Sequence, residues 1–231
     1  MNVERMLKAV LFDLYDTLAY LSPGVVQEGR RELAALADVD WAAWAEVWRS
    51  SAMERMLGKL GSMEDQIRHM LRGLGADPPL KLVVELAERE NEAWVRAVRL
   101  YPQALPVLGD LKRRGYRLGL VSNCSCQAGR VVHAIGLAAQ MDSLALSCEL
   151  GVAKPDPAIF LHACRALGVE PRECMFVADG AFGELDTAKG LGMVAVKVEQ
   201  AHQSGEYGTS TSFDHRIENL TQVLDLVASS E

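Results

Sequence analysis

The chain has 231 residues, 49% hydrophobic and 24% charged, enough apolar material for a sizeable core and far from the composition of a disordered chain. Lysine and arginine number 24 against 31 acidic residues, a formal charge of −7, so nothing attracts it to phosphate backbones or anionic membranes and no nucleic-acid partner is expected. No apolar run reaches the roughly 18 to 20 residues of a membrane span, and Glu4, Arg5 and Lys8 interrupt the start, which argues against a transmembrane segment or signal peptide and for a cytoplasmic protein.

Along the chain, residues 8–12 form a short apolar run that ends at Asp13, the pattern of a buried strand delivering a carboxylate at its C-terminal end. Residues 19–100 then show helical spacing with no convincing strand and read as an all-helical insertion. Within it Trp41, Trp44 and Trp48 recur at spacings of three and four, which puts the three rings on one helical face as an insertion core. A loop around Gly73, Gly75, Pro78 and Pro79 precedes a further helix at 80–98. Beyond the insertion, helical patterns at 103–113, 127–134, 157–167 and 185–191 alternate with apolar runs at 117–121, 143–146, 174–178 and 193–198. Each helix stops at a glycine, namely Gly115, Gly136, Gly168 and Gly192. Residues 201–212, rich in Ser, Gly and Thr, read as a surface loop before a last short strand and a helix at 218–227.

Strands alternating with helices of this length predict an α/β fold, a doubly wound parallel sheet covered on both faces. The domains expected are a core of residues 1–18 and 101–231, and the helical insertion, 19–100. In such a sheet ligands sit beyond the carboxyl ends of the strands. There the sequence places Asp13, then Ser122 and Asn123, then Lys154, then Asp179 with Glu184 five positions on. Carboxylates offer hard oxygens to a divalent metal, while a lysine and a hydroxyl neutralise phosphate oxygens.

These residues resemble the motifs of the haloacid dehalogenase-like hydrolases, in their order. Residues 12–18, Phe-Asp-Leu-Tyr-Asp-Thr-Leu, look like the first motif; Ser122-Asn123 the second; Lys154-Pro155-Asp156-Pro157 the third; Asp179 with Glu184 the fourth. Tyr101-Pro102 is also similar to the family's pattern. The resemblance implies a Rossmann-like core with a helical cap, as in the family's first subfamily, and a catalytic set of Asp13, Ser122, Asn123 and Lys154. Asp13 would be the nucleophile, forming an aspartyl intermediate that water hydrolyses. Mg2+ would be held by Asp13, the Tyr15 carbonyl and Asp179, with Glu184 acting through water. Tyr15, Thr17 and Arg49 would contact a small phosphorylated substrate.

Two departures pull in opposite directions. The phosphatase branch carries an acid/base aspartate two residues after the nucleophile, where this chain has Tyr15 as the dehalogenases do; Asp16 is the next residue and is expected to point elsewhere. The segment Ala178-Asp179-Gly180 with Glu184 instead looks like the magnesium-binding version, and Phe160 stands where dehalogenases place a tyrosine. The reading is a Mg2+-dependent phosphatase, slow or selective for good leaving groups. The alternatives are an L-2-haloacid dehalogenase using Asp13, or a non-catalytic protein binding a phosphometabolite or a partner.

Among cap arginines, Arg49 beside Trp48 is the first choice for gripping an anion, ahead of Arg30 and Arg31. Of the five cysteines, odd in number and without paired CxxC spacing, Cys124 and Cys126 lie at the start of a helix; inert packing is the default reading, and the alternative is a thiol pKa lowered by the macrodipole and oxidation-sensitive activity.

Overall fold

The computed structural model describes residues 6–22, 24–200 and 209–228. Strand β1 (Ala9–Phe12) is buried along its whole length. It pairs in parallel with β4 (Arg117–Ser122) on one side and β6 (Cys174–Ala178) on the other. The sheet extends through β5 (Ser143–Leu146) beyond β4, and through β7 (Val194–Val198) and β8 (His215–Ile217) beyond β6. The order is β5-β4-β1-β6-β7-β8, parallel throughout.

Alternation along β1 sends side chains to both faces, and both are covered, which is why the central strands are continuous apolar runs. Val10 and Phe12 pack with α6 (Ala104–Arg113), α7 (Ala128–Ala134) and α11 (Val223–Ala228), while Ala9 and Leu11 pack with α9 (Pro157–Leu167) and α10 (Glu184–Gly190). Gly119 in β4 is needed for this closeness, since a Cβ there would stand 2.5 Å from the Leu11 side chain.

Helices α1 (Val25–Leu36), α2 (Trp41–Ser50), α3 (Ala52–Met56), α4 (Met63–Gly73) and α5 (Leu80–Ala97) follow β1 as an insertion with an apolar cluster of its own. Trp44 and Trp48 are buried in that cluster and Trp41 packs against it, as the helical spacing predicts.

The insertion is not purely helical, however. Strands β2 (Ala19–Leu21) and β3 (Val98–Leu100) pair antiparallel as a ribbon at its base, with Ala19 opposite Leu100 and Leu21 opposite Val98. The predicted helix at 80–98 stops at Ala97, and residue 98 belongs to the ribbon. Three-residue strands separated by the whole insertion leave no local period to detect.

The helix expected at 218–227 is a 3-10 turn, Leu220–Gln222, followed by α11. The Asn219 side chain accepts the Thr221 N–H at 2.9 Å and so starts the turn two residues later than the pattern indicates. Of the loop expected at 201–212, residues 201–208 lie outside the described residues. No helix among the described residues is long and apolar enough to cross a membrane.

Candidate active site

The strand ends bring the predicted residues together. Asp13 follows β1 directly, and its N–H donates to the Val177 carbonyl of β6 at 3.0 Å. Asp179 follows β6, and Glu184 opens α10. Lys154 reaches in from the loop between α8 (Ser147–Leu150) and α9, and its ammonium pairs with Asp13 and, at 2.6 Å, with Glu184. Asp13, Lys154 and Glu184 are all buried. Oxygens of Asp13, Asp179 and Glu184 lie within 4.8 Å of one another.

Burial pushes the Asp13 carboxyl up; the Lys154 ammonium opposes the rise and the nearby Asp179 charge adds to it. Glu184 is held well above the usual carboxylate range for the same first reason, against the pull of Lys154. Burial disfavours the Lys154 ammonium, but Asp13 and Glu184 outweigh it and hold Lys154 above its ordinary value. Three carboxylates against one ammonium leave two negative charges uncompensated when all are ionised. A buried set of convergent hard oxygens with that excess fits a divalent cation such as Mg2+.

Of the other predicted site residues, Asn123 lines the cavity, while Thr17 and Ser122 lie behind its wall. The Asn123 amide clamps the backbone of Lys154, donating to its carbonyl at 2.9 Å and accepting its N–H at 2.7 Å. Thr17 is fully buried, and its hydroxyl accepts the Asp179 N–H at 3.0 Å. Thr17 therefore orients the fourth-motif aspartate and is not a cavity wall, contrary to the expectation of a substrate contact. Ser122 is fully buried, and its hydroxyl has no hydrogen-bond partner among the described residues.

Above the charged cluster a cavity of about 810 Å³ opens between the core and the insertion. Asp13, Lys154, Asp179 and Glu184 line its floor; Tyr15, Asp16, Trp44, Trp48 and Trp94 are among its other walls. Tyr15 meets Trp94 edge to face, with ring centroids 6.0 Å apart. Burial pushes its phenol up, helped by the nearby Cys124 and by Asp13. Asp16 has a φ of 58°, in the left-handed region, and it too lines the cavity, so it does not point away as the sequence led us to expect.

Arg49 lines the cavity, but its side chain is 71% exposed and ion-paired with Glu46 on the same helix. The arginines deep in the cavity wall are Arg30 and Arg55, whose guanidinium carbons each lie 4.2 Å from the centre of the Trp48 ring. Arg30 pairs with buried Glu90 at 2.9 Å, and Arg55 donates to the Ser51 hydroxyl at 2.6 Å. Sequence reasoning ranked Arg30 below Arg49 and passed over Arg55. The signal present was the i to i+7 spacing of Trp48 and Arg55, which brings them together only because α2 breaks at Ser51 and restarts as α3.

The macrodipole reading of the thiols does not hold. Helix α7 begins only at Ala128, and burial pushes Cys126 up to about 11. A hydrogen bond to Cys148, together with burial, holds Cys124 well above the usual thiol range. Loss of hydration outweighs any helix dipole here.

A doubly wound sheet with acids and a lysine gathered at its strand ends places a charged site where such folds bind their ligands. A family profile described as haloacid dehalogenase-like hydrolase matches residues 7–192, and the chain belongs to that family. It is 31% identical to a glyceraldehyde 3-phosphate phosphatase of Methanopyrus kandleri, over 96% of this chain and 97% of that one. It is 26% identical to an (S)-2-haloacid dehalogenase 4A of Burkholderia cepacia, over 97% of this chain and 96% of that one. Its fold matches the crystal structure of a 2-haloacid dehalogenase from Pseudomonas syringae pv. Tomato DC3000 with a TM-score of 0.73 at 24% identity, covering 98% of this chain and 100% of that one.

Proposed function

We propose that the chain is a Mg2+-dependent phosphatase that hydrolyses a small phosphate monoester through an aspartyl-phosphate on Asp13. The observation that carries this reading is the gathering of three carboxylates, Asp13 and Glu184 buried and paired with Lys154 and Asp179 half-buried beside them, into a site short of positive charge. A bound Mg2+ would be held by Asp13, Asp179 and the Tyr15 carbonyl, with Glu184 behind them, and would supply positive charge to the phosphoryl oxygens.

In this reading Asp13 attacks phosphorus, and the bond to the leaving oxygen breaks as the Asp13–phosphorus bond forms. Lys154 holds the nucleophile in place and neutralises a phosphoryl oxygen, and Asn123 fixes the lysine by its backbone clamp. Water then attacks the aspartyl-phosphate and regenerates the Asp13 carboxylate. Residues 19–100 act as the cap that closes over the substrate and excludes water. The relative from Methanopyrus kandleri, named a phosphatase of a three-carbon phosphate, supports a substrate of that size.

A second reading, L-2-haloacid dehalogenase, is favoured by one observation: the position two residues after Asp13 carries an aromatic ring packed on Trp94 and not a carboxylate. There Asp13 would displace halide from carbon. Incubation with a panel of C2 to C4 phosphate esters and with 2-chloropropionate, with Mg2+ and with chelator, separates the two. Phosphate release that needs Mg2+ is the expected result; chelator-insensitive chloride release without phosphate release would overturn it.

A further inference from the structure

Three thiols gather where the core meets the insertion. Cys124 follows β4 and lines the cavity, Cys148 sits on α8, and their sulfurs are 3.9 Å apart. Gln66 of α4 donates to the Cys126 sulfur at 3.1 Å. Between the first two thiols, the Ser147 hydroxyl accepts the Cys124 N–H at 2.9 Å and donates to the Met56 carbonyl of α3 at 2.7 Å. Gly58 lies so close to Cys148 that a Cβ on it would stand 2.0 Å from the Cys148 carbonyl oxygen. The segments carrying Cys124 and Cys148 therefore form the seam on which the insertion rests.

We propose that Cys124 and Cys148 are an oxidisable dithiol, a modification site for peroxides whose cross-link shifts this seam and slows the active site. Cys148 is the half-buried member and Cys124 the buried one, so the oxidant reaches Cys148 first. The contact with the Cys124 thiol also holds the Cys148 thiol below its ordinary value.

The Cys148 sulfur attacks a peroxide oxygen, the O–O bond breaks, and one water leaves a sulfenic acid on Cys148. The Cys124 sulfur then attacks that sulfenic sulfur; the S–S bond forms, the S–O bond breaks, and a second water leaves with the thiol proton. Two thiols are oxidised and one hydrogen peroxide is reduced to two waters. A disulfide needs sulfurs about 2.05 Å apart, so the two sulfurs must approach by about 1.9 Å from their present 3.9 Å. Asn123, whose amide clamps Lys154, immediately precedes Cys124. Ser147, bonded to the Met56 carbonyl, and the Cys148 carbonyl, close to Gly58, lie on the same seam. The link to turnover rests on the phosphatase reading; the cross-link itself does not.

The test treats the whole chain with hydrogen peroxide and follows intact mass, a non-reducing peptide map with fragment sequencing, and Mg2+-dependent hydrolysis of p-nitrophenyl phosphate. The expected result is a loss of about 2 Da and a Cys124–Cys148 linked peptide. A misplacement of this size should slow turnover about tenfold or more, with recovery in dithiothreitol. Cys148→Ser should lose both the cross-link and the sensitivity, and Cys126→Ser should keep both. Irreversible oxidation of Cys148 without a cross-link, or a cross-link confined to Cys126 or to Cys164 and Cys174, would overturn the dithiol. A Cys124–Cys148 cross-link with unchanged turnover would overturn its effect on the site. Because mass reads the cross-link without any substrate, failure to hydrolyse phosphate esters would sink the phosphatase reading alone.

Discussion

Asp13 and Tyr15 line the same cavity two residues apart, and on them the proposed chemistry makes opposite demands. Asp13 must be ionised to attack, although burial and Asp179 push its carboxyl up; the Lys154 pair and a bound cation restore the carboxylate. Asp13→Asn keeps the shape and removes the nucleophile, so turnover should fall roughly 10³-fold or more. The check is single-turnover kinetics, with mass spectrometry excluding deamidation back to Asp; activity within about tenfold of the parent would mean that another residue attacks. Tyr15 carries a phenol pushed above its ordinary value by burial, so it stays neutral at physiological pH and donates a proton poorly. General acid help, usually worth about 10²- to 10⁴-fold, should then be missing for alkyl phosphates and matter little for aryl and acyl phosphates, which leave as stabilised anions. Tyr15→Asp should therefore raise alkyl-phosphate turnover more than aryl-phosphate turnover. Rapid hydrolysis of a sugar phosphate by the unaltered protein would show that a group other than a position-15 carboxylate supplies the proton, with Asp16 in the cavity wall the first to replace by Asn.

At the scale of elements, the site depends on cross-links that no single segment contains. Asn123 at the end of β4 holds Lys154, 31 positions later, by two backbone hydrogen bonds, and Thr17 holds the backbone of Asp179. Asn123→Ala should leave the sheet intact yet free the lysine loop, lowering kcat by roughly 10- to 100-fold with a smaller change in KM, as loss of an orienting partner does. Circular dichroism and steady-state kinetics check this; an unchanged kcat would mean the loop is fixed by other contacts. The same long-range bonding explains what was legible in the sequence. The sheet strands and the flanking helices announce themselves through local period and glycine stops; Asp13 and Asp179 appear because each directly follows an apolar run, and Lys154 and Glu184 through their place in the ordered motifs. The ribbon of β2 and β3, the indirect roles of Thr17 and Asn123, and the stacking of Arg30 and Arg55 on Trp48 depend on partners distant in the chain or on a helix break. Periodicity does not separate buried from solvated helix arginines, so Arg55 goes unnoticed until its burial is seen.

On the scale of the whole molecule, the charged cluster couples metal binding to folding. Asp13, Asp179 and Glu184 come from β1, β6 and α10, so their oxygens converge only in the folded chain, and a cation that binds them stabilises the native state alone. At a free Mg2+ concentration about 100 times Kd the gain is about 2.7 kcal/mol. For a chain of this size, at roughly 2 to 4 °C per kcal/mol, the melting temperature should rise by about 5 to 10 °C. Asp179→Ala should abolish most of that rise. It should cost the metal-free protein little, since the lost carboxylate is one of those whose repulsion raises the Asp13 pKa. Thermal denaturation of both proteins with Mg2+ and with chelator decides the matter: equal shifts in both would place the cation elsewhere, and no shift in either would remove the metal from the proposed mechanism. Activity should follow the same ordering, with the variant inactive at every Mg2+ concentration that saturates the parent.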